Sequence, residues 1–459
     1  MPAGPRSAAL SLLLRVELDG AYLNRVLDGF VKEHGRWDRR DINLVNELCW
    51  GVMRHRGTLD FYLRQVSTRP LRDIDTHVLY ALRMGLYQLM YLDRVPQHAA
   101  VGESVELVKP HGEAQARFVN AVLRSFMRRR EDLDRPQSLE ETNVRLSATH
   151  SAPLWLVKQS RRDIRCRHPH LDDAAVEDAL VQRLAWISQR AGVTLRTNTL
   201  RISREALLEM LLQAGIDARP GTYAPEAILL AAGTAITDLP GYDDGLWMVQ
   251  DEGSMLVPHL AGVQPGMRVL DVGAAPGGKT THMAQLMDNR GDLIALDVST
   301  ARLPLIHQNA LRLGVSIAQP MAGDMADAPA ELEKHSFDVV VVDAPCSGLG
   351  VLRRHPEAKW RKREASIEQL AHQQEAILAA AADYVKPGGR LVYSVCTTTC
   401  AEGPQQIEAF LEKHSSFTLL PPPQKENLAW PRISQQGYVD FADIDDLDGF
   451  FAVALENHS

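Results

Sequence analysis

Two cysteines stand where strand-like runs end, and they are the residues of this chain best suited to covalent chemistry. Cys346 closes Val339-Val340-Val341-Val342-Asp343-Ala344-Pro345-Cys346, and Cys396 closes Arg390-Leu391-Val392-Tyr393-Ser394-Val395-Cys396. β-Branched and aromatic runs of this length predict strands, so each thiol falls at the carboxyl end of a strand. In an open α/β sheet that edge is where ligands bind. A single buried cysteine usually does no more than pack. Two of them, one in an Asp-Ala-Pro-Cys context and one in Ser-Val-Cys, point to a shared site.

Upstream lies a glycine-rich turn, Leu270-Asp271-Val272-Gly273-Ala274-Ala275-Pro276-Gly277-Gly278-Lys279-Thr280. Residues 273–280 spell G-x-x-x-x-G-K-T, and Val339–Asp343 resembles the second motif of a P-loop NTPase, so that reading competes. Three features oppose it. Asp271 stands beside the loop, Pro276 removes one backbone N–H that would cradle phosphate, and Asp297 ends the next strand. An acid at that strand end suits a ribose diol. S-adenosylmethionine has a ribose, no phosphate and a cationic sulfonium, so acids near the loop favour it. The glycines allow close backbone approach, and Asp324, after the third strand region, is placed to accept from the adenine amino group.

These groups together fit methylation of a pyrimidine carbon. Carbon 5 of cytosine becomes nucleophilic once a thiolate adds to carbon 6. The reaction needs a nucleophilic cysteine, a carboxyl group for N3 and the exocyclic amine, and help in expelling the thiol. Cys396 and Cys346 offer the thiols and Asp343 the carboxyl group. The base must leave its stack or be single-stranded to reach such a pocket. No cysteine and histidine spacing fits a metal site, and none is expected.

The elements that must position these groups fall in three blocks. Residues from 5 to about 130 carry apolar positions at helical spacing, among them Val78, Leu82, Leu86, Leu89 and Met90, and predict an all-α domain within 1–140. Residues 150–240 mix strand patterns (193–198, 227–230) with a helix capped by Ser203 and ended by Gly215, and predict a small α+β module. From 241 to 459 strands over 268–272, 292–296, 338–342 and 390–394 alternate with helices over 280–287 and 367–385, which predicts a parallel doubly wound sheet. The length of 459 residues accommodates three such domains. No apolar run reaches the roughly 20 residues of a membrane span. Five scattered cysteines give no disulfide framework, and a reducing cytoplasm is expected. A net charge of −8 argues against indiscriminate nucleic-acid binding. Basic residues nevertheless cluster at Arg353, Arg354, Lys359, Arg361, Lys362 and Arg363, next to the Cys346 motif, and at Arg124, Arg128, Arg129 and Arg130. The first cluster adjoins the expected active edge and is read as the functional one, a dock for a specific polyanion.

These residues resemble the RsmB/Sun branch of RNA 5-methylcytosine methyltransferases over nearly the whole chain. Asp271–Thr280 is similar to the family's motif I, Asp343–Gly350 to motif IV and Tyr393–Thr397 to motif VI. Gln250-Asp251-Glu252-Gly253-Ser254 resembles the stretch leading into the catalytic domain. Val95–Leu107 and Phe118–Arg124 resemble the RNA-binding domain shared with the antitermination factor NusB. The resemblance implies an α/β Rossmann-like methyltransferase domain that uses S-adenosylmethionine, preceded by an all-α NusB-like domain and the α+β module. It implies a cytosine of small-subunit ribosomal RNA as target, with no membrane partner and a monomer. Cys396 is then the nucleophile and Cys346 the aid to release, with Asp343 and Lys279 completing the candidate catalytic set. Gly273, Ala274, Ala275, Pro276, Gly277, Gly278, Lys279, Asp297, Asp324 and Asp343 are the candidate cofactor contacts, with Arg302 and Asn309 nearby.

Two departures stand out. The family often has Cys where Gly273 stands, a change read as harmless. The acidic pair and Asn that follow motif VI in the family are here Thr399-Cys400-Ala401-Glu402-Gly403-Pro404; Glu402 keeps one acid and Cys400 adds a thiol. Three rivals remain. An NTPase would depend on Lys279 and be indifferent to Cys396, a silent RNA-binding assembly factor would bind RNA without turnover, and a DNA methyltransferase would use Cys346 as nucleophile.

Overall fold

The computed structural model describes residues 4–34, 36–231, 234, 236, 239–425, 427–434, 439–440 and 447–459. The chain divides into two compact units, one of residues 1–189 with 352–362, the other of 190–351 with 363–459.

The first unit is helical. Pro5–Leu18, Leu23–Glu33, Arg39–Val66, Thr76–Tyr91, Gln97–Val108 and Glu113–Arg129 surround one apolar core that buries Val78, Leu82, Leu86 and Leu89. Asp75 starts the fourth helix by accepting from the backbone N–H groups of His77 and Val78, which satisfies donors that the first turn leaves unpaired. Pro96 and Gly112 fall at helix starts, as their backbone preferences require. Three further helices, Thr142–Thr149, Leu154–Arg167 and Asp173–Ile187, also lie in this unit. The strands of the α+β module therefore begin only at Val193, later than the change of character expected near residue 150.

The second unit opens with a four-stranded antiparallel sheet of β1 (Val193–Thr197), β2 (Ala218–Pro220), β3 (Ala227–Leu230) and β4 (Trp247–Val249), in the order β2-β3-β1-β4. The helix Arg204–Gln213 packs on it, and the Ser203 hydroxyl accepts from the Ala206 N–H as its cap.

The large sheet comprises β5 (Arg268–Val272), β6 (Asp292–Asp297), β7 (Ala318–Ala322), β8 (Phe337–Asp343), β9 (Val385–Val395), β10 (Phe417–Leu420), β11 (Val439–Asp440) and β12 (Phe451–Asn457). Its path is β10-β12-β9-β8-β5-β6-β7, with β11 beside β12. The strands from β9 to β7 are parallel, and β12 and β10 close the edge antiparallel. This is the parallel doubly wound sheet expected from the alternation of elements, in the Rossmann-like form that the resemblance implies. Val339–Val342 are almost completely buried, which suits a central parallel strand covered on both faces. The helix expected over 367–385 runs from Ala365 to Ala382, and Val385 already starts β9. The order reverses between β5 and β8, so the crevice for a ligand opens there. Among the described residues no helix is long and apolar enough to cross a membrane.

Candidate functional site

At that reversal point a cleft of about 300 Å³ is lined by Gly273 and Ala275 after β5, Asp297 at the end of β6, Asp324 after β7, Asp343 at the end of β8, Cys346 after β8, and Cys396 after β9. Residues from five strand ends thus line one cleft. Gln373 and Ile377, from the helix Ala365–Ala382, complete a wall that sequence reading does not foresee.

The two sulfurs are 2.9 Å apart. Both are free thiols, as is the buried Cys49. The hydrogen bond to Cys396, and then burial and the charges of Glu402 and Asp343, push the Cys346 thiol well above its ordinary pKa. Cys346 therefore keeps its proton. Cys400 is not among the free cysteines, so it is not the extra free thiol that its position after Cys396 suggests.

Asp343 is held from two sides. Lys279 Nζ lies 2.7 Å from Oδ2, and the Ser394 hydroxyl donates to Oδ1 at 3.1 Å. Lys279 is nearly buried, and its ammonium also faces the Phe450 ring. It reaches the cleft only through Asp343. Thr280 is committed as well, its hydroxyl donating to Asp271 Oδ2 at 2.5 Å. Burial raises Asp271 to about 7 against that hydrogen bond. The lysine and threonine that a P-loop would turn toward phosphate and cation are thus both spent on carboxylates, and the structure gives the NTPase reading no support.

The glycine-rich turn is shaped by close approach. Gly273 has φ +77°, and a Cβ there would lie 2.3 Å from the Asp343 carbonyl oxygen. Glycine lets the turn after β5 touch the end of β8, so the Gly in place of Cys, harmless by sequence, carries a structural consequence. Gly277, also at positive φ, precedes the helix Gly278–Leu286. Ala274, Pro276, Gly277 and Gly278 shape the turn without lining the cleft. Asp297 is buried and braces the turn: Oδ2 accepts from the Ala275 N–H and Oδ1 from the Ser299 N–H, both at 2.9 Å. Arg302 lies 3.6 Å from Asp297 and donates to the Ala275 carbonyl, and Asn309 donates to the Pro276 carbonyl. Arg302 lines the cleft, whereas Asn309 supports the turn from behind. Asp324 Oδ1 accepts from the Ala326 N–H.

The donor set tests which ligand fits. Asp297, Asp324 and Asp343 face the cleft, with Arg302 as the cation among its lining residues. Such an acidic pocket repels polyphosphate and suits a ligand with a cationic centre and hydroxyl groups to donate.

Behind the turn, a buried polar layer ties the α+β module to the helix Gly278–Leu286. Arg196 on β1 donates to the Gly278 carbonyl, the Thr281 hydroxyl and Gln250. Burial lowers the Arg196 pKa to about 9. Glu226 lies 3.1 Å from His259 Nε2 and 2.6 Å from His282 Nε2. Burial would raise the Glu226 pKa, but the two histidines hold it well below the carboxylate range, and burial lowers His282 to about 4. The three donor atoms lie within 4.8 Å of one another, a grouping that can hold a metal ion and that the spacing of 226, 259 and 282 in sequence could not reveal. Arg196 and Glu226 feel each other's charge, but the layer is not closed: His259 Nδ1, His282 Nδ1 and Arg196 Nε are buried without a hydrogen-bond partner among the described residues.

One expected surface is only partly formed, with Arg363 exposed and Arg354 and Lys362 half-buried. Among the residues 353–363, Arg353 and Lys359 are buried. Lys359 Nζ donates to the Arg54 carbonyl at 3.1 Å, and burial, then the Arg54 charge, lowers its pKa to about 7. Arg361 donates to the carbonyls of Val16, Gly20 and Ala21 at the end of the helix Pro5–Leu18, where unpaired acceptors attract a cation. Glu357 accepts from the Leu23 N–H and so caps the helix Leu23–Glu33, which has no side-chain cap of its own. This stretch builds the helical unit. The other basic run, Arg124, Arg128, Arg129 and Arg130, is exposed.

Comparison with known proteins agrees with this geometry. The family model for 16S rRNA methyltransferase RsmB/F matches residues 259–456, that of the NusB family 3–128, and that of the RsmF/B-like ferredoxin-like domain 174–237. A probable ribosomal RNA small subunit methyltransferase B from Bacillus subtilis is 36% identical over 90% of this chain and 89% of its own. The ribosomal RNA small subunit methyltransferase B of Pectobacterium carotovorum is 34% identical over 98% of both chains. Among solved structures, a methyltransferase homolog protein from Pyrococcus horikoshii is 26% identical, with a TM-score of 0.57 over 70% of this chain and 100% of its own.

Proposed function

Since the chain belongs to the 16S rRNA methyltransferase RsmB/F family, we propose that it methylates carbon 5 of a cytosine in small-subunit ribosomal RNA, with S-adenosylmethionine as donor and Cys396 as nucleophile. The observation that carries this reading is the pair of sulfurs 2.9 Å apart at the mouth of an acidic cleft.

The donor supplies an electrophilic methyl group on a cationic sulfur. In this reading Asp297 at the end of β6 accepts from its ribose hydroxyls and Asp324 from its adenine, and the backbone of Gly273 and Ala275 meets its amino-acid end. The ring of acids favours the positive sulfur. Cys396 Sγ adds to carbon 6 of the base, forming an S–C6 bond and making carbon 5 the nucleophile that takes the methyl group. The Asp343 carboxylate accepts from the exocyclic amine, and its pairing with Lys279 and Ser394 fixes its direction. Loss of the carbon 5 proton to solvent water then re-forms the ring double bond as the S–C6 bond breaks and Cys396 leaves as thiolate. Cys346 holds its proton, so its S–H is positioned to donate to that departing sulfur, which lowers the barrier to release. Every group of the site comes from one unit of one chain, which supports action as a monomer. The exposed arginines of the helical unit supply a surface for the RNA backbone.

The test is methyl transfer from labelled S-adenosylmethionine to unmodified small-subunit RNA. Cys396→Ala is expected to lose at least about a thousandfold in rate while cofactor affinity stays within twofold. Cys346→Ala is expected to accumulate a denaturation-resistant enzyme–RNA adduct. Wild-type enzyme that binds the donor but labels no RNA would instead leave an RNA-binding assembly factor.

A further inference from the structure

The loops that bear Cys346 and Cys396 extend beyond the last paired residues of β8 and β9, Asp343 and Ser394. Beyond that register something must set the distance between the sulfurs. One link is the Gly350 N–H donating to the Cys396 carbonyl at 3.2 Å. A second is the contact between the Ser347 and Thr397 hydroxyls, 2.8 Å apart, and a third is a single carboxylate that binds both of those hydroxyls. Glu402 is completely buried. Its Oε1 accepts from the Ser347 N–H at 2.6 Å and from Gln374 Nε2 at 3.1 Å. Its Oε2 accepts from the hydroxyls of Ser347 and, at 2.8 Å, Thr399, with the Thr397 hydroxyl at 3.3 Å. Ser347 directly follows Cys346, and Thr397 directly follows Cys396. The same Gln374 amide donates to the Pro345 carbonyl at 2.8 Å, and the Tyr393 hydroxyl donates to the Glu402 carbonyl at 2.7 Å.

We propose that Glu402 is the positioning residue that sets Cys346 against Cys396, and that it thereby governs release of the methylated base. The inference rests on the reading of the two sulfurs given above. A carboxylate can accept four hydrogen bonds and donate none, so it gathers N–H and O–H donors from both loops at once, which neither a serine nor an amide does as well. Burial without a full positive charge is costly for a carboxylate. Here the cost is offset by hydroxyl, amide and backbone donors, which makes the arrangement directional and its spacing strict. The negative charge also helps Cys346 keep its proton. The acid whose place after motif VI suggests a loop contact for RNA faces inward instead.

The test measures three quantities on the full-length enzyme: S-adenosylmethionine affinity, the rate of methyl transfer, and the fraction of enzyme held as denaturation-resistant RNA adduct. Wild type, Cys346→Ala, Glu402→Ala, Glu402→Gln and Ser347→Ala are compared. A displacement of the order of 1 Å at a reacting group costs about a hundredfold, so Glu402→Ala is expected to turn over about a hundredfold more slowly with cofactor affinity unchanged and adduct accumulating. Glu402→Gln and Ser347→Ala, which keep the side-chain volume or the acid, are expected to fall between it and wild type and serve if Glu402→Ala fails to fold. A purely structural role would lower adduct and product together with the folded fraction. If Cys346→Ala traps adduct but the Glu402 and Ser347 variants keep the wild-type ratio of adduct to product, the positioning role is overturned alone. If Cys346→Ala traps none, the roles of both sulfurs are overturned, and this inference with them.

Discussion

Residues 343–351 and 352–362 follow one another in the chain, yet the first stretch shapes the cleft in one unit and the second is folded into the other. Each carries groups that look reactive or adhesive in sequence. In the first, Asp343 and Cys346 stay partly accessible and are held by donors from neighbouring strand ends. In the second, Lys359 and Arg361 are consumed by helix carbonyls. The difference lies in what surrounds each polar group. A cation spent on backbone carbonyls becomes part of the scaffold, whereas one beside a carboxylate at a sheet edge becomes part of a site. Lys279 and Lys359 mark the two cases.

Removing these lysines should break the symmetry between them. Lys279→Met takes the partner from Asp343, and methyl transfer is expected to fall by about a hundredfold, with Tm lowered as well. Single-turnover transfer together with thermal melting measures both.

Lys359→Met should do the reverse, raising Tm near neutral pH and leaving turnover unchanged. The folded-state pKa of Lys359 is lowered from 10.5 to about 7. Between those values the unfolded chain binds a proton that the folded chain does not, so stability rises with pH across that window and is least below about 7. Lys359→Met should flatten this rise, as denaturant midpoints taken from about pH 6 to 10 would reveal. A slope that persists in the variant would place its origin elsewhere.

The smallest effect is expected at the second basic run. Arg128→Ala and Arg130→Ala should each weaken RNA binding modestly and reduce the salt slope of log K by roughly 0.7 to 0.9 for every phosphate no longer neutralised. Substituting the buried Arg353 should leave that slope unchanged. Equal slopes from all three variants would erase the contrast drawn between the runs.

The pattern of success in reading the sequence follows the same division. The strands β5 and β3 span the residues that their apolar patterns predict, and Asp297, Asp324, Asp343, Cys346 and Cys396 meet because alternating strands and helices bring strand ends to one edge. Those inferences need only local period and sheet topology. Arg361 at the end of the first helix, Glu402 beneath two loops and Glu226 between His259 and His282 depend on partners from distant parts of the chain. No local pattern encodes such pairings. The helices over 154–187, read in sequence as the start of the α+β module, lie in the helical unit, while the ferredoxin-like family match begins at 174. A basic run beside a reactive motif reads as a docking surface until its carbonyl partners are known.

The insertion of 352–362 into the helical unit has a bearing on how the molecule can be divided. The chain passes between the units at 189–190, at 351–352 and again at 362–363. A single cut near residue 190 therefore yields no two complete halves. The amino-terminal fragment would lack the arginine that closes its first helix and the glutamate that opens its second. The carboxyl-terminal fragment would carry Leu352, Lys359 and Trp360 on a loop with nothing to enclose them. Transplanting either half onto another protein requires moving both pieces of the helical unit together, so this architecture is inherited and engineered as one object.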